Sequence, residues 1–328
     1  MSHAAAPGKI ILFGEHAVVF GEPAVAVAID LETKVDVIPD ERLSTHQVND
    51  RPMETYAHLF IEKAVELLWD NAGNTTPLSI RTNSRLPSAA GLGSSAALST
   101  ATCASLLHLT GQFSETRLAR AAYETEWLGQ GKQGSPIDTS ASTHGQAIYV
   151  AREKEEEHHL WSLRRGDATW HVHHQPLPRM PFVVAHSGEK GKTAEAVAKV
   201  AMYVERTGFA EKIIEDLGEV TRKGRHALVD GDLAKVGSLM TEAHGLLGML
   251  GVSTSRLDEL CDVALEAGAY GAKLTGGGAG GCMVALCEDP NAVRDALVGD
   301  RADAWVVRSA RKGARAWGKS QADLKVRR

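Results

Sequence analysis

The chain has 328 residues, 43% of them apolar and 23% charged, enough to bury a sizeable core and a length that suggests roughly two domains. Its 36 Lys and Arg against 41 Asp and Glu leave a formal charge of -5, which argues against nucleic acid or an anionic membrane as the main partner, since both are usually met by a basic face. No apolar run approaches the roughly 18 residues of a membrane span, and Met1 to Pro7 lacks the features of a leader, so a cytoplasmic protein without a membrane partner is expected.

In chain order, "KIILFG" (residues 9–14) reads as a strand ended by glycine, and "PAVAVAIDLETKVDVIPD" as two strand-like pieces around Asp30. "TYAHLFIEKAVELLWDNAG" has apolar residues at Leu59, Phe60, Ala64, Val65, Leu67 and Leu68, the spacing of an amphipathic helix that stops at Gly73. "PLSIRTNSRLP" returns to strand character and leads through Pro87 into the glycine turn "GLGSS" and a helix over Ala97 to Leu107. A further helix, Glu115 to Leu128, precedes a glycine-rich loop. Between Arg152 and Pro181 the chain becomes charged and rich in histidine, which predicts a domain boundary there, with lobes over 1–178 and 179–328. The "HVHH" stretch within it (His171, His173 and His174) reads as a solvated β-hairpin and not as a metal site. The second half predicts a strand "FVVAHSG", helices over Thr193 to Glu205, Ala210 to Leu228, Asp232 to Leu247 and Arg256 to Ala267, a glycine cluster, a helix from Asn291 and a strand "AWVVR". Strands and helices alternate without a regular parallel rhythm, so the class is α+β with two lobes. The four cysteines, Cys103, Cys261, Cys282 and Cys287, lie in apolar runs without CxxC spacing and read as reduced core residues.

Four segments carry candidate chemistry. In "APGKIILFGEHAVVFGEPAV", Lys9 opens a strand, where its ammonium either sits on the surface or meets a phosphate or a substrate hydroxyl; Glu15 and His16 follow the glycine that ends the strand. In "GLGSSAALSTATCASLL", the glycines allow close approach to a helix start whose free amides and partial positive charge suit phosphate, while Ser94 or Ser95 offers a hydroxyl to cap the helix or to reach a metal. The match to G-x-G-x-x-A does not extend to a dinucleotide site, because Pro87 and a small-residue loop intervene between strand and glycine. In "EWLGQGKQGSPIDTSASTHG", Glu126 near a helix end and Asp138 after a Ser-Pro turn could serve a metal and a hydroxyl proton, or Asp138 could close an Asx-turn. "TGGGAGG" (275–281) holds more glycine than a turn needs, which points to close backbone approach. "GEKGKT" has two residues where a P-loop needs four, and is not one.

Together, "PGKIILFGEHAVVFG", "LPSAAGLGSSAA", "SPIDTSAST" and "KLTGGGAGG" resemble, in this order, the motifs of the GHMP small-molecule kinases and within them the archaeal-type mevalonate kinases. The resemblance runs from about Ala6 to Leu286. It implies a two-lobed fold, an N-terminal lobe like ribosomal S5 domain 2 and a ferredoxin-like C-terminal lobe, and an ATP- and Mg²⁺-dependent phosphorylation of the 5-hydroxyl of mevalonate. By the same resemblance Pro87, Gly91, Leu92, Gly93, Ser94, Ser95 and Ala96, with Gly276, Gly277 and Gly278, would surround the nucleotide. Ser95 and Glu126 would hold Mg²⁺, Asp138 and Lys9 would act on the hydroxyl, and Glu15, His16 and Thr193 would line the acceptor and transfer site. A homodimer is the expected assembly. Another GHMP acceptor, or a non-catalytic nucleotide-binding regulator, are the alternatives. The chain departs from the family pattern in a Gly131 to Ser135 loop one residue longer, in Gln146 where a second glycine is common, and in the place of Ala279 within its glycine run.

Overall fold

The computed structural model describes residues 1–53, 59–87, 90–132, 134–178 and 180–319. The first part of the chain forms β1 (Ser2–Phe13), β2 (Ala24–Pro39), β3 (Gln47–Val48), β4 (Arg51–Pro52), α1 (Leu59–Val65), β5 (Leu78–Ser84), α2 (Ser94–Leu109), α3 (Glu115–Gly129), α4 (Ile137–His144), β6 (Ala147–Ala151), β7 (His159–Arg165) and β8 (Ala168–Gln175). There follow β9 (Pro181–His186), α5 (Thr193–Arg206), α6 (Gly208–Asp230), α7 (Leu233–Met249), α8 (Ser255–Glu266), β10 (Ala269–Thr275), β11 (Cys282–Cys287), α9 (Pro290–Gly299), β12 (Asp303–Arg308) and β13 (Arg315–Gly318).

Among the described residues the strands make two sheets. The larger runs β4-β3-β5-β2-β6-β8-β7, with β1 also paired to β2 and β13 paired to β1. The smaller is ordered β10-β11-β9-β12. Its strands and helices follow the sequence β-α-β-β-α-β with the first strand inside the sheet, which is the ferredoxin-like arrangement expected for the second lobe.

The two pieces expected around Asp30 are one strand. From Ala24 to Ile29 every residue of β2 is buried, and from Asp30 onward buried positions alternate with more exposed ones. The first half is covered on both faces, because Val25, Val27 and Ile29 share an apolar cluster with Leu217 and Val220 of α6 and Val183 of β9, while Ala24 and Ala26 pack with Tyr123 and Ile137. Beyond Ile29 only one face is covered, which restores the period of two. A common core therefore joins the lobes.

α2 is buried along most of its length, including Ser99, Thr100, Thr102 and Ser105. Small side chains let β1, β2, α1, α3 and α4 approach it closely, and Thr102 returns its hydroxyl to Leu98 O at 2.8 Å.

Three expectations change. The histidine hairpin forms, as β7 and β8, but it is the edge of the first sheet and not a linker; His173 is fully buried and accepts from Glu155 N at 3.0 Å. The division at 178/179 takes no account of β13, which returns to the first sheet against Ala4 and Ala5 of β1. The helix expected up to Gly73 is α1 followed by a wider turn over Glu66–Asp70, and its expected residues 55–58 lie outside the described residues.

Candidate active site

Lys9 is built into the glycine loop. Its strand position directs its N–H to Leu92 O (2.9 Å), and its Nζ donates to Gly91 O (3.0 Å). Gly93 has to lack a side chain here: a Cβ on it would meet Lys9 Cγ at 2.8 Å, and its φ is 72°. Gly93 is also the residue before α2, and no side chain caps the helix, so the amides of Ser94, Ser95 and Ala96 have no partner within it. Pro87 leads into this loop; Ser88 and Ala89 lie outside the described residues. The expected capping hydroxyl is engaged elsewhere. Ser95 Oγ donates to Glu126 Oε1 at 2.8 Å.

From the loop, Lys9 Nζ reaches Asp138 Oδ2 at 3.1 Å. Lys9 is 2% exposed and Asp138 29%, so the ammonium is sealed beneath the loop while the carboxylate keeps an open side. Asp138 belongs to the first turn of α4, a helix the sequence did not announce, and not to an isolated Asx-turn. Glu126 projects from α3, is 5% exposed, and also accepts from Gln130 Nε2 at 3.0 Å, one helical turn further on. Burial and the nearby Asp138 charge push its carboxyl up to about 8, against the opposing pull of Ser95 and Lys9. Two carboxylates and one hydroxyl thus stand together with a single ammonium at a helix start.

On the other side, Glu15 and His16 follow the turn at Gly14. Glu15 is buried in an ion pair with Lys273 of β10, whose Nζ also donates to Leu274 O at 2.7 Å. Burial raises the Glu15 carboxyl and lowers the Lys273 ammonium, each against the attraction of the other. His16 has a positive φ (61°) with ψ -47°, at the centre of a tight turn in which Ala17 N donates to Glu15 O at 2.6 Å, and its Nε2 is 3.0 Å from Gly277 O. Burial lowers its pKa to about 4, so the ring is neutral and Nε2–H is the donor. That leaves His16 Nδ1, like Glu15 Oε2, buried with no partner among the described residues.

The third glycine run meets the first. A Cβ on Gly91 would sit 2.5 Å from Thr275 O, one on Gly276 2.9 Å from Gly91 Cα, and Cys282 N donates to Ala90 O at 3.0 Å. Thr193, exposed at the start of α5, lies against Gly277, whose Cβ would be 2.8 Å from Thr193 Oγ1; Gly278 is closed in by Val252 O in the same way, at 2.2 Å. All the singled-out segments therefore converge where the two sheets meet. Lys273, Thr275 and Gln130 were not anticipated. Lys273 had a signal, a charge inside an otherwise apolar strand, and Gln130 stands four residues after Glu126; Thr275, which accepts from Ile11 N at 2.9 Å, had none.

Residues 59–146 match the family model of the GHMP kinases N terminal domain, and residues 225–299 that of the GHMP kinases C terminal. The chain is 35% identical over 311 residues to the mevalonate kinase of Pyrococcus abyssi, covering 86% of this chain and 88% of that one. It belongs to the GHMP kinase family, on the mevalonate kinase branch. The mevalonate kinase of Pyrococcus furiosus is similar at 36% identity over 321 residues, covering 89% of this chain and 90% of that one. Among solved GHMP kinase structures, the L. major mevalonate kinase in complex with R-mevalonate superimposes with a TM-score of 0.74 at 26% identity, over 93% of this chain and 95% of that one. The α+β two-lobed GHMP kinase fold is thus the fold of this chain. No helix among the described residues is long and apolar enough to cross a membrane.

Proposed function

We propose that this GHMP kinase transfers the γ-phosphoryl group of ATP to the 5-hydroxyl of (R)-mevalonate, giving 5-phosphomevalonate for isoprenoid synthesis. The observation that carries the reading is the Lys9–Asp138 pair, 3.1 Å apart, directly beneath a glycine loop that opens an uncapped helix. A nucleotide-binding regulator would need the loop but not a buried ammonium aimed at a half-open carboxylate.

Asp138 accepts or steers the proton of the attacking hydroxyl, and the Lys9 ammonium, held against that carboxylate, stabilises the negative charge that grows on the oxygen. The amides at the start of α2 and its dipole hold the phosphates, and the Gly276 to Gly278 backbone closes the nucleotide from the second lobe. Glu15 Oε2 and His16 Nδ1 are buried acceptors without partners among the described residues, which suits a polyhydroxy acceptor whose hydroxyls can donate to them. Thr193 stands beside the third glycine run, where its hydroxyl can reach the phosphoryl group in transfer. Most of the rate then comes from positioning and fixed charge, as phosphoryl transfer requires.

The donor set also fits Mg²⁺. Ser95 Oγ and the Glu126 carboxylate are hard oxygen ligands 2.8 Å apart, and Glu126 is a buried carboxylate next to a second one, short of positive charge. Bound there with the nucleotide, Mg²⁺ supplies charge neutralisation on the phosphate oxygens. The net charge of -5 supports small-molecule partners over nucleic acid, and the reading includes a cytoplasmic homodimer.

The test is ADP release with ATP and Mg²⁺ across mevalonate, phosphomevalonate, homoserine and galactose, the product located by ³¹P NMR. Turnover of mevalonate to the 5-phosphate is expected. Preference for another acceptor overturns the substrate, and no turnover while ATP still binds overturns the activity.

A further inference from the structure

After β12 the chain leaves the second sheet at Ser309, which bridges to Ile29, and crosses to the first lobe before forming β13. On the way it touches β2, the strand paired with the one that carries Lys9, and the end of α4, the helix that carries Asp138. Ala310 N donates to Ala28 O (2.7 Å), Ala310 O accepts from Gln146 N (2.7 Å), and Gln146 O accepts from Ala28 N (2.8 Å). Ala28 is the register partner of Lys9 across β1 and β2. Gln146 follows Gly145, the residue that ends α4, and Asp138 is in the first turn of that helix. A closed ring of backbone hydrogen bonds therefore links the strand position of Lys9 to the helix of Asp138, and Ser309–Ala310 supplies one of its three sides.

The same segment then caps α4. Ala314 N donates to Ser142 O (2.9 Å) and Thr143 O (3.0 Å), carbonyls that the helix end leaves without intrahelical partners. The approach is close enough to demand two bare backbones. A Cβ on Gly313 would lie 2.0 Å from Thr143 O, and one on Gly145 2.3 Å from Gly313 N. Gly145 adopts φ 74° and ψ -171°, a region that glycine alone visits readily. Arg315 fixes the far side, its Nη1 and Nη2 donating to Glu32 of β2 at 2.6 and 2.8 Å.

We infer that Ala310 and Gly313 are positioning residues: the returning segment sets where α4 stands against β1, and so the distance between the Asp138 carboxylate and the Lys9 ammonium. α4 has eight residues, too few to hold a place by its own stability, so its position comes from what packs on it. A misplacement of about 1 Å far from the chemistry can cost on the order of 100-fold in rate. Neither family-model match extends to this segment, since they end at 146 and 299. The kinetic side of the inference rests on the kinase reading; the structural side does not.

The experiment compares the parent enzyme with Gly313→Ala, Arg315→Gln and a core variant on α8 of the second lobe, Leu260→Ala. For Gly313→Ala, kcat is expected to fall at least tenfold, about 1.4 kcal/mol of transition-state stabilisation, with KM for ATP and mevalonate within twofold of the parent. For Arg315→Gln a three- to fivefold loss of kcat at unchanged KM is expected. Leu260→Ala should lower Tm with kcat within twofold. Crystal structures of the variants that fold should show the Lys9–Asp138 separation lengthened from 3.1 Å. If Gly313→Ala does not fold, Arg315→Gln decides. Retained kcat with the pair still at 3.1 Å overturns the inference, as does an equal kcat loss in Leu260→Ala. If the parent does not phosphorylate mevalonate, the proposed function fails, and the crystallographic separation alone decides the role of the segment.

Discussion

Lys9 Nζ lies 3.1 Å from Asp138 Oδ2 and 3.0 Å from Gly91 O, so one buried ammonium joins a strand, a glycine loop and the first turn of a helix. Burying that amine is costly, and the carboxylate and carbonyl offset the cost only while all three elements hold their places. The same contacts that hold Lys9 in place also aim Asp138.

Replacing Asp138 by Asn keeps the shape and a hydrogen bond to Lys9 but removes the proposed proton acceptor. Turnover is expected to fall at least about 100-fold, while KM for ATP changes little and circular dichroism stays that of the parent. Full activity in Asp138→Asn would remove the residue from the mechanism.

Ser95→Ala deletes the hydroxyl that meets Glu126 Oε1 at 2.8 Å. The half-saturating Mg²⁺ concentration should rise by roughly ten- to a hundredfold, the usual scale for losing a metal-site partner, with stability lowered by only about 1 kcal/mol. A Mg²⁺ titration that matches the parent excludes Ser95 from the metal set.

The Glu15–Lys273 pair is buried on both sides. Lys273→Met leaves an uncompensated carboxylate in the interior and is expected to destabilise the protein by about 3–5 kcal/mol in urea unfolding. Adding Glu15→Gln should recover more than half of that loss, because the charge that made the single change costly is gone. Additive losses in the double variant would show that the two residues act independently.

His16 makes stability depend on pH. Its ring titrates near 6.5 when unfolded and near 4 when buried, so between these values the unfolded chain holds a proton that the folded one does not. This contribution is complete above pH 6.5 and is lost as pH falls toward 4, by roughly 3 kcal/mol in all. His16→Asn should flatten the fall of Tm over that range; an unchanged slope would assign it to other groups.

Much of this was legible in the residues themselves. Helices α3 and α6 to α9 follow from apolar spacing behind the capping side chains Ser114, Thr207, Asp232, Thr254 and Asp289, α5 from apolar spacing alone and α2 from an apolar, alanine-rich run, all local signals. The glycine runs announced close backbone approach without saying to what. α4 was not legible, because "IDTSASTH" has neither apolar period nor strong helix formers and is helical through what surrounds it. β2 was divided in two because its covering changes at Asp30, a fact about α6 and β9 and not about β2.

The sequence by itself determined the kinds of elements, the placement of the glycine loops and the reactive side chains, because turns, caps and periodicity depend on neighbours a few residues away. Only the tertiary structure decided which of those side chains meet. The joining of Lys9 to Asp138, of Glu15 to Lys273 across 258 positions, and of Ala310 to Ala28 and Gln146 rests on strand register and on two sheets sharing one core. Register is a property of pairs of segments: β1 brings Lys9 opposite Ala28 only when β2 lies beside it, and no local propensity carries that information.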